Sequence, residues 1–293
     1  IAQIAPIEES VPPKKYGGIE VIIDILCNKL VEKGHEVTLF ATGDSKTAAR
    51  LFPLVPEAVR GSHTLEQFTD KKIYFEMMKN MALGKALTEI KKSNFDIVHS
   101  HVTWRLFPYI KLISTPVVFT LHIPLDDDFK KSAYSNFPDY NYVSISNFQR
   151  TPLPHLNYLA TIYNGTEINR YKFNSNGGSP LLFLGRSTIS KGPHIAIEVA
   201  KKTGMELTLV MKIEKINQED YEYYKSQVKP HIDGQQIKEI QEVEFGEKIE
   251  LLGSAKCLIF TPQWEEPFGL VMTEAMACGT PVVAFAKGSV PEV

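Results

Sequence analysis

Two runs of alternating strands and helices, separated by a polar segment, constrain the fold of this chain most strongly. In the first run, a predicted strand at residues 1–7 leads into a helix with apolar residues at positions 19, 22, 23, 26 and 30, and a second strand follows at 36–41. Apolar residues at helical spacing between two short apolar segments predict a βαβ unit. Residues 174–179 are polar and glycine-rich, as in a domain linker. The same alternation then begins again.

This repetition predicts a parallel sheet in each half, with helices on both faces. Later strands are predicted at residues 95–99, 116–121, 142–145, 159–162, 181–185, 206–211, 257–261 and 282–285, and later helices at 193–202, 218–228 and 270–278. A length of 293 residues suits two domains. We therefore expect two Rossmann-like, doubly wound α/β domains that face a cleft, residues 1–166 and 167–293. No helix follows the last strand, so we expect the C-terminal domain to be incomplete as given.

Charge, cysteine content and hydropathy indicate which partners and which cellular compartment suit the chain. The net charge is −2, and neither half is basic, which argues against nucleic acid as a partner. The three cysteines, Cys27, Cys257 and Cys278, are scattered, which favours a reducing cytosol over a disulfide scaffold or a zinc site. No apolar run approaches the roughly 20 residues of a membrane span. We expect a cytoplasmic protein.

The segment around residues 264–281 gives the clearest indication of function, because two carboxylates flank a predicted helix start. Glu266 precedes a Pro-Phe-Gly turn, and Glu274 lies inside the helix that begins near Leu270. A helix start exposes free backbone N–H groups and the positive end of a dipole, so the amides of Gly269 and Leu270 suit a phosphate. Carboxylates on either side can accept hydrogen bonds from sugar hydroxyls.

Two loops that follow predicted strands also suit phosphate. Arg186 and Lys191 lie between a strand end and a helix start, where two cations can neutralise a diphosphate. The alternative is a basic, solvated loop. Gly17 and Gly18 follow the first strand and allow close approach of a ligand, although they equally suit tight packing at a helix start. The Gly-x-Gly-x-x-Gly and P-loop patterns are absent from the sequence.

Histidines and aspartates at the strand ends of the first half suggest contacts with a sugar or a metal. His99, His101 and His122 each lie where a predicted strand ends. His122 can bond a sugar hydroxyl or support charge near a departing phosphate. We expect a histidine held by backbone groups in preference to a metal ligand at 99–101. Residues 126–128 are three aspartates, which we interpret as a solvated acidic loop in preference to a site for a divalent ion.

Residues 71–92 are rich in lysine, with scattered apolar residues. The pattern is typical of a surface helix whose apolar stripe lies in the core. It also leaves open a peripheral contact with anionic lipid at the inner face of a membrane.

Taken in order, these segments resemble the GT-B glycosyltransferases of family 4, the retaining glycosyl transferases group 1. The resemblance covers nearly the whole chain and rests on residues 16–18, 96–101, 120–122, 185–192, 266–284 and 288–292. It implies that a hexose moves from a nucleotide-diphosphate sugar, a UDP- or GDP-sugar, to an unidentified acceptor sugar, lipid or small molecule. It also implies retention at the anomeric carbon, no obligatory metal and no cofactor. The domain of residues 1–166 would be the acceptor side.

The resemblance also implies a role for each matching residue. Arg186 and Lys191 would bind the diphosphate, and Glu274 the ribose hydroxyls. Glu266 would hold the donor sugar, and His122 would contact it. The residues implied to bind the nucleotide sugar are Gly17, Gly18, Arg186, Lys191, Glu266, Phe268, Gly269, Leu270 and Glu274. Those implied to be catalytic are Arg186, Lys191, Glu266 and His122.

Two rival functions remain open from the sequence. One is a nucleotide-sugar epimerase or a phosphorylase of the same fold. The other is an inactive protein that binds a nucleotide sugar without transferring it.

Overall fold

The computed structural model describes residues 1–60, 62–213, 215 and 217–293, and it divides into two compact units, Ile1–Gly165 and Thr166–Val293. Each unit contains one parallel sheet with helices in its crossovers. The prediction of two Rossmann-like α/β domains is confirmed.

The first unit is built on seven parallel strands. They are β1 (Ala2–Ile4), β2 (Thr38–Thr42), β3 (Arg50–Val55), β4 (Val98–Ser100), β5 (Val117–Thr120), β6 (Asn141–Ser144) and β7 (Tyr158–Thr161), in the spatial order β3-β2-β1-β4-β5-β6-β7. The helices are α1 (Gly18–Glu32), α2 (His63–Glu66), α3 (Lys71–Lys92) and α4 (Asp128–Ser135), and a 3-10 helix spans Thr103–Leu112. The sequence did not predict β3, which lies at one edge.

The second unit repeats this plan with five strands. They are β8 (Leu181–Arg186), β9 (Leu207–Lys212), β10 (Ile237–Gln241), β11 (Cys257–Phe260) and β12 (Val282–Ala284), in the order β10-β9-β8-β11-β12. Its helices are α5 (Pro193–Thr203), α6 (Gln218–Tyr223), α7 (Phe245–Gly253) and α8 (Leu270–Ala277). The single helix predicted at 218–228 ends at Tyr223 and continues as a π turn, Tyr224–Val228.

Alternating side chains explain why both faces of the second sheet need cover. Leu181 and Phe183 of β8 belong to one buried cluster, whereas Leu182 between them belongs to another. Successive side chains of a strand point to opposite faces, so a strand that is apolar throughout must be buried on both. Helix α5 packs on β8 and β9, and α8 packs on β11 and β12.

Each sheet has a switch point, where the crossovers change direction. In the first unit β1 pairs with both β2 and β4, and in the second β8 pairs with both β9 and β11. In doubly wound sheets, ligands bind beyond the carboxyl ends of the strands at such a point. The residues after β1 and β4, and those after β8 and β11, therefore occupy the binding edge of their own unit.

Helix α3 exposes part of its apolar surface. Phe75 and Leu83 are buried in the core of the first unit, as predicted, but Ile73, Met77 and Met81 are 68%, 46% and 61% exposed. These three residues lie four apart on one side of the helix. Among the described residues, no helix has both the length and the apolarity needed to cross a membrane.

Candidate functional site

The loops after β8 and β11 are joined into one surface of the second unit. Arg186 ends β8, and Lys191 follows in a 3-10 turn before α5. Gly192 has φ 71°, and a Cβ there would lie 2.3 Å from the carbonyl oxygen of Thr261, which directly follows β11. The Thr261 hydroxyl donates to the Gly192 carbonyl at 2.9 Å. Glycine is therefore required for this close approach, which places Arg186 and Lys191 beside the loop that leads to Glu266.

Arg186 carries an unsatisfied donor. Its Nε is buried and has no hydrogen-bond partner among the described residues. A buried donor without an acceptor costs free energy, about 1–3 kcal/mol and more for a charged group. Within the described residues, the guanidinium thus has a buried donor for which an acceptor is lacking.

Lys191 and Glu266 form a buried ion pair. Lys191 Nζ lies 2.7 Å from Glu266 Oε2, and the two side chains are 15% and 6% exposed. The indole Nε1 of Trp264 donates to the same oxygen at 2.9 Å, and Lys191 Nζ lies 4.7 Å from the centre of the Trp264 ring. The two residues that sequence reasoning assigned to phosphate and sugar are therefore in direct contact. Trp264 is a site residue that we did not predict.

Residues near the C-terminal end of the chain hold the Glu266 loop. Ser289 donates to the Glu266 carbonyl through both its amide, at 2.8 Å, and its hydroxyl, at 2.9 Å. The Gly288 amide donates to Glu265 Oε2 at 2.7 Å. A Cβ on Gly288, whose φ is 60°, would lie 2.3 Å from the Glu266 carbonyl oxygen. These contacts fix the backbone on which the Glu266 side chain stands.

Helix α8 begins without a side-chain cap. Gly269 is its N-cap, with φ 84°, and a Cβ there would lie 2.8 Å from Met272 Cε. As a glycine, the N-cap has no side chain that could accept from the first amides of the helix. A helix start of this kind suits an anion, and binding of an anion by the amides of Gly269 and Leu270 stays a prediction. The Phe268 side chain is buried at 4% exposure, so we do not expect it to contact a ligand.

Glu274 lies one turn along α8 from Leu270 and is buried. Its Oε1 accepts from Lys248 Nζ at 2.6 Å and from the Tyr171 hydroxyl at 3.1 Å. Burial, with the neighbouring Glu274, raises the pKa of Tyr171 above its usual value, so the hydroxyl keeps its proton and donates. Sequence reasoning found Glu274 but neither of these partners.

In the first unit, the glycines after β1 lie at the start of α1. Gly17 is the N-cap of α1, and Gly18 is its first residue. A Cβ on Gly17 would lie 2.7 Å from Pro13 Cβ and 2.8 Å from Glu20 Oε2. Tight packing therefore accounts for Gly17, which was the alternative left open by the sequence.

Three histidine rings gather at the ends of β4 and β5. His101 Nδ1 lies 2.8 Å from His122 Nε2, and His101 Nε2 lies 3.0 Å from Gln3 Oε1. His99 Nε2 lies 2.7 Å from the Thr120 hydroxyl. The expectation of histidines held by backbone groups at 99–101 is therefore wrong for the rings of His99 and His101, because side chains hold them.

Burial keeps these histidines neutral near pH 7. It lowers the pKa of His99 to about 4. Burial and the neighbouring His99 lower the pKa of His122 to about 3, and burial with both neighbours lowers the pKa of His101 well below its usual value. A neutral imidazole has one N–H and one lone pair, so each ring donates at one nitrogen and accepts at the other.

One of the three aspartates at 126–128 has a structural role that we did not predict. Asp127 is the N-cap of α4, and its Oδ1 accepts from the Lys130 amide at 2.7 Å. Such a cap satisfies one of the free amides of a helix start. Within the described parts of the chain, no three His, Cys, Asp or Glu side chains are placed to hold a metal ion together.

Two family models match the chain, and together they cover most of it. Residues 16–167 match the family described as Glycosyltransferase Family 4. Residues 166–293 match the family described as Glycosyl transferases group 1.

Individual relatives are similar over the length of the chain. Spore coat protein SA of Bacillus subtilis (strain 168) is 26% identical over 332 residues, covering 100% of this chain and 82% of that protein. The solved structure of AviGT4, a glycosyltransferase involved in avilamycin A biosynthesis, has a TM-score of 0.71 at 22% identity and covers 100% of this chain and 80% of its own. Anabaena Alr3699/HepE, solved in complex with UDP and glucose, has a TM-score of 0.73 at 20% identity, covering 99% and 82%. At these identities the two structures establish similarity of fold.

Proposed function

We propose that this chain, which belongs to glycosyltransferase family 4, moves a hexose from a UDP- or GDP-hexose to an acceptor, with retention at the anomeric carbon and no obligatory metal. The observation that carries the proposal is the buried, unsatisfied Nε of Arg186 at the switch point of the second sheet. Lys191 and the uncapped start of α8 add positive potential at the same edge. A diphosphate is the anion that two cations and a helix start suit best.

In this proposal, the chemistry depends on charge that develops as the donor breaks. Cleavage of the bond between sugar and phosphate leaves negative charge on the diphosphate and positive charge on the anomeric carbon. Arg186, Lys191 and the α8 amides stabilise the departing diphosphate, because their positive charge is in place at this edge of the sheet before the bond breaks. The Lys191 ammonium has two further N–H donors beside the one that meets Glu266. The acceptor hydroxyl attacks the anomeric carbon from the same face and gives its proton to the departing phosphate oxygen, which accounts for retention.

The carboxylates hold the donor and do not attack it. Glu266 is fixed by Lys191 and Trp264, so it accepts hydrogen bonds from the hexose hydroxyls in one orientation. Glu274 accepts from the ribose. The roles that the resemblance implies for His122, Gly17 and Gly18 stay predictions.

UDP-hexose is the first candidate donor, because one structural relative was solved with UDP and glucose. A thermal-shift screen of UDP-glucose, GDP-mannose and ADP-glucose tests the choice, since a ligand stabilises the folded state by mass action. Release of nucleoside diphosphate with a panel of acceptor sugars and lipids then tests transfer. Binding without release would indicate an inactive binding protein, and isomerisation of the donor without an acceptor would indicate an epimerase.

Replacement of Arg186 by alanine separates binding of the diphosphate from binding of the nucleoside. We expect Arg186→Ala to lower kcat/KM by about a hundredfold or more, because it removes charge that stabilises the departing group. Calorimetry should show weaker binding of UDP and unchanged binding of uridine. Lys238→Ala, which removes an exposed cation of β10 in the same unit, is the control and should change neither. Near-normal kcat/KM in Arg186→Ala would remove Arg186 from the mechanism.

A further inference from the structure

Two donors that no sequence motif predicts hold the carboxylate of Glu274. Lys248 lies on α7, and Tyr171 follows the 3-10 turn Ile168–Arg170. The ammonium and the hydroxyl reach the same oxygen, Oε1, at 2.6 and 3.1 Å. The Lys248 and Glu274 side chains are 14% and 9% exposed, so water competes little for the contact.

Engagement of one oxygen determines what the other can do. A carboxylate has two oxygens with about four acceptor sites, and Oε1 here serves both protein donors. The carboxylate cannot turn about its terminal bond without breaking a short charge-assisted contact and a hydroxyl contact. Oε2 is therefore presented in a fixed direction, as the acceptor for hydroxyls of a ligand.

An aromatic ring fixes the two donors in turn. Phe245, the first residue of α7, meets the Tyr171 ring edge to face at 5.5 Å. Lys248 Nζ lies 5.2 Å from the Phe245 ring centre, and the Arg170 guanidinium lies 4.4 Å from it. A side chain that is packed and charge-paired loses little further entropy when a ligand binds.

We propose that Lys248 and Tyr171 are positioning residues that orient Glu274 to read the ribose of the nucleotide donor, an inference that rests on the proposed function. Lys248 offsets the charge of the buried carboxylate, and Tyr171 fixes its rotation. The pair thus makes the site selective for a ribonucleotide over a 2′-deoxyribonucleotide. A hydroxyl bound to a charged acceptor contributes selectivity that a loosely held carboxylate cannot supply.

The test compares UDP, GDP and ADP with their 2′-deoxy counterparts by calorimetry. In the wild-type chain, we expect the best-bound diphosphate to bind about tenfold more tightly than its 2′-deoxy form, the scale of one hydrogen bond to a charged group. In Lys248→Met this preference should fall to about twofold or less, with weaker binding of the ribonucleotide and nearly unchanged binding of the deoxy form. Tyr171→Phe should retain part of the preference. Lys248→Arg, which keeps the charge, should retain most of it.

Controls separate positioning from stability. Lys238→Met removes a lysine from the exposed edge strand of the same unit and should leave the preference unchanged. If Lys248→Met lowers the melting temperature but keeps the full preference, Lys248 only joins α7 to α8 and the inference is wrong. If the wild-type chain binds diphosphates without any preference for ribose, the inference is also wrong, while the proposed function stands. If none of the diphosphates binds, the proposed function itself fails.

Discussion

At the scale of single residues, lysines from other elements hold the two candidate carboxylates of the second unit: Lys191 contacts Glu266, and Lys248 contacts Glu274. Arg186, Lys191, Glu266 and Glu274 could be selected because their types and spacings carry meaning along the chain. Trp264 and Lys248 could not be selected in this way. Each acts through a contact that exists only after folding, such as Lys248 and Glu274, which lie 26 residues apart on different helices. The sequence around a lysine in an amphipathic helix does not show whether its side chain contacts another helix or lies in solvent.

The histidine cluster makes a residue-scale prediction about proton position. If Gln3 Oε1 accepts from His101 Nε2–H, then His101 Nδ1 accepts from His122 Nε2–H, and His122 Nδ1 presents a lone pair. We therefore expect His122 to be the Nε2–H tautomer, a state that nitrogen chemical shifts in two-bond NMR correlations identify. Gln3→Met should mix the two tautomers and lower kcat/KM about fivefold, the scale of one neutral hydrogen bond.

A matched control uses the third histidine. Thr120→Val removes the partner of His99 and leaves the chain of contacts from Gln3 to His122 intact. It should leave the His122 tautomer unchanged. The opposite tautomer in the wild-type chain would reverse the order of donors, and His122 would then donate to a sugar oxygen.

At the scale of elements, the central strands could be predicted and two edge strands could not. Central strands such as β8 and β9 are mostly apolar, with a cation only at the carboxyl end, because both faces are covered. The unpredicted β3 and β10 each lie at an edge of their sheet. β3 contains Pro53, and β10 reads Ile-Lys-Glu-Ile-Gln, so each has the composition of a loop or a solvated helix. An edge strand is specified largely by the neighbour with which it pairs, and that neighbour is distant in sequence.

Helix α1 carries a buried carboxyl that makes stability depend on pH. Burial raises the pKa of Glu20 from 4.5 to about 8, and Glu8 and Glu9 add to the rise while Arg60 opposes it. The folded state then binds one more proton than the unfolded state between pH 4.5 and about 8. The contribution of Glu20 to the free energy of unfolding is fully present below pH 4.5 and is lost as the pH rises through about 8. We expect the contribution of Glu20 to lower the melting temperature progressively across this interval.

Glu20→Gln tests this prediction, because an amide has the same shape and does not titrate. The melting temperature of the variant should fall less between pH 5 and pH 8 than that of the wild-type chain, so that the variant is relatively more stable at pH 8. Glu32→Gln, at the exposed end of the same helix, is the matched control and should keep the wild-type slope. Identical slopes in Glu20→Gln and the wild-type chain would show that Glu20 does not titrate in this interval.

At the scale of the whole molecule, the doubled α/β alternation predicted one parallel sheet in each unit, without the edge strands β3 and β10. Each sheet reverses its order at the pair formed by its first strand and its fourth strand, β1 with β4 and β8 with β11. Candidate residues such as His101 in the first unit and Arg186 in the second were selected separately from the sequence. Each follows or ends a strand at the switch point of its own sheet. That agreement arises because a parallel sheet brings the carboxyl ends of distant strands to one edge.

Whether transfer needs a metal ion also has to be judged over the whole chain, because acidic residues anywhere in it could supply the ligands. Arg186, Lys191 and the start of α8 provide positive charge for a departing diphosphate. Asp127, in the acidic run most like a metal motif, serves as a helix cap. We therefore expect transfer to keep its rate in excess EDTA, measured as release of nucleoside diphosphate with the donor found by the thermal-shift screen. Loss of activity that Mg²⁺ or Mn²⁺ restores would contradict the proposal. Comparison of Asp126→Asn and Asp128→Asn would then show whether that run binds the ion, because each substitution removes a charge while leaving the Asp127 cap in place.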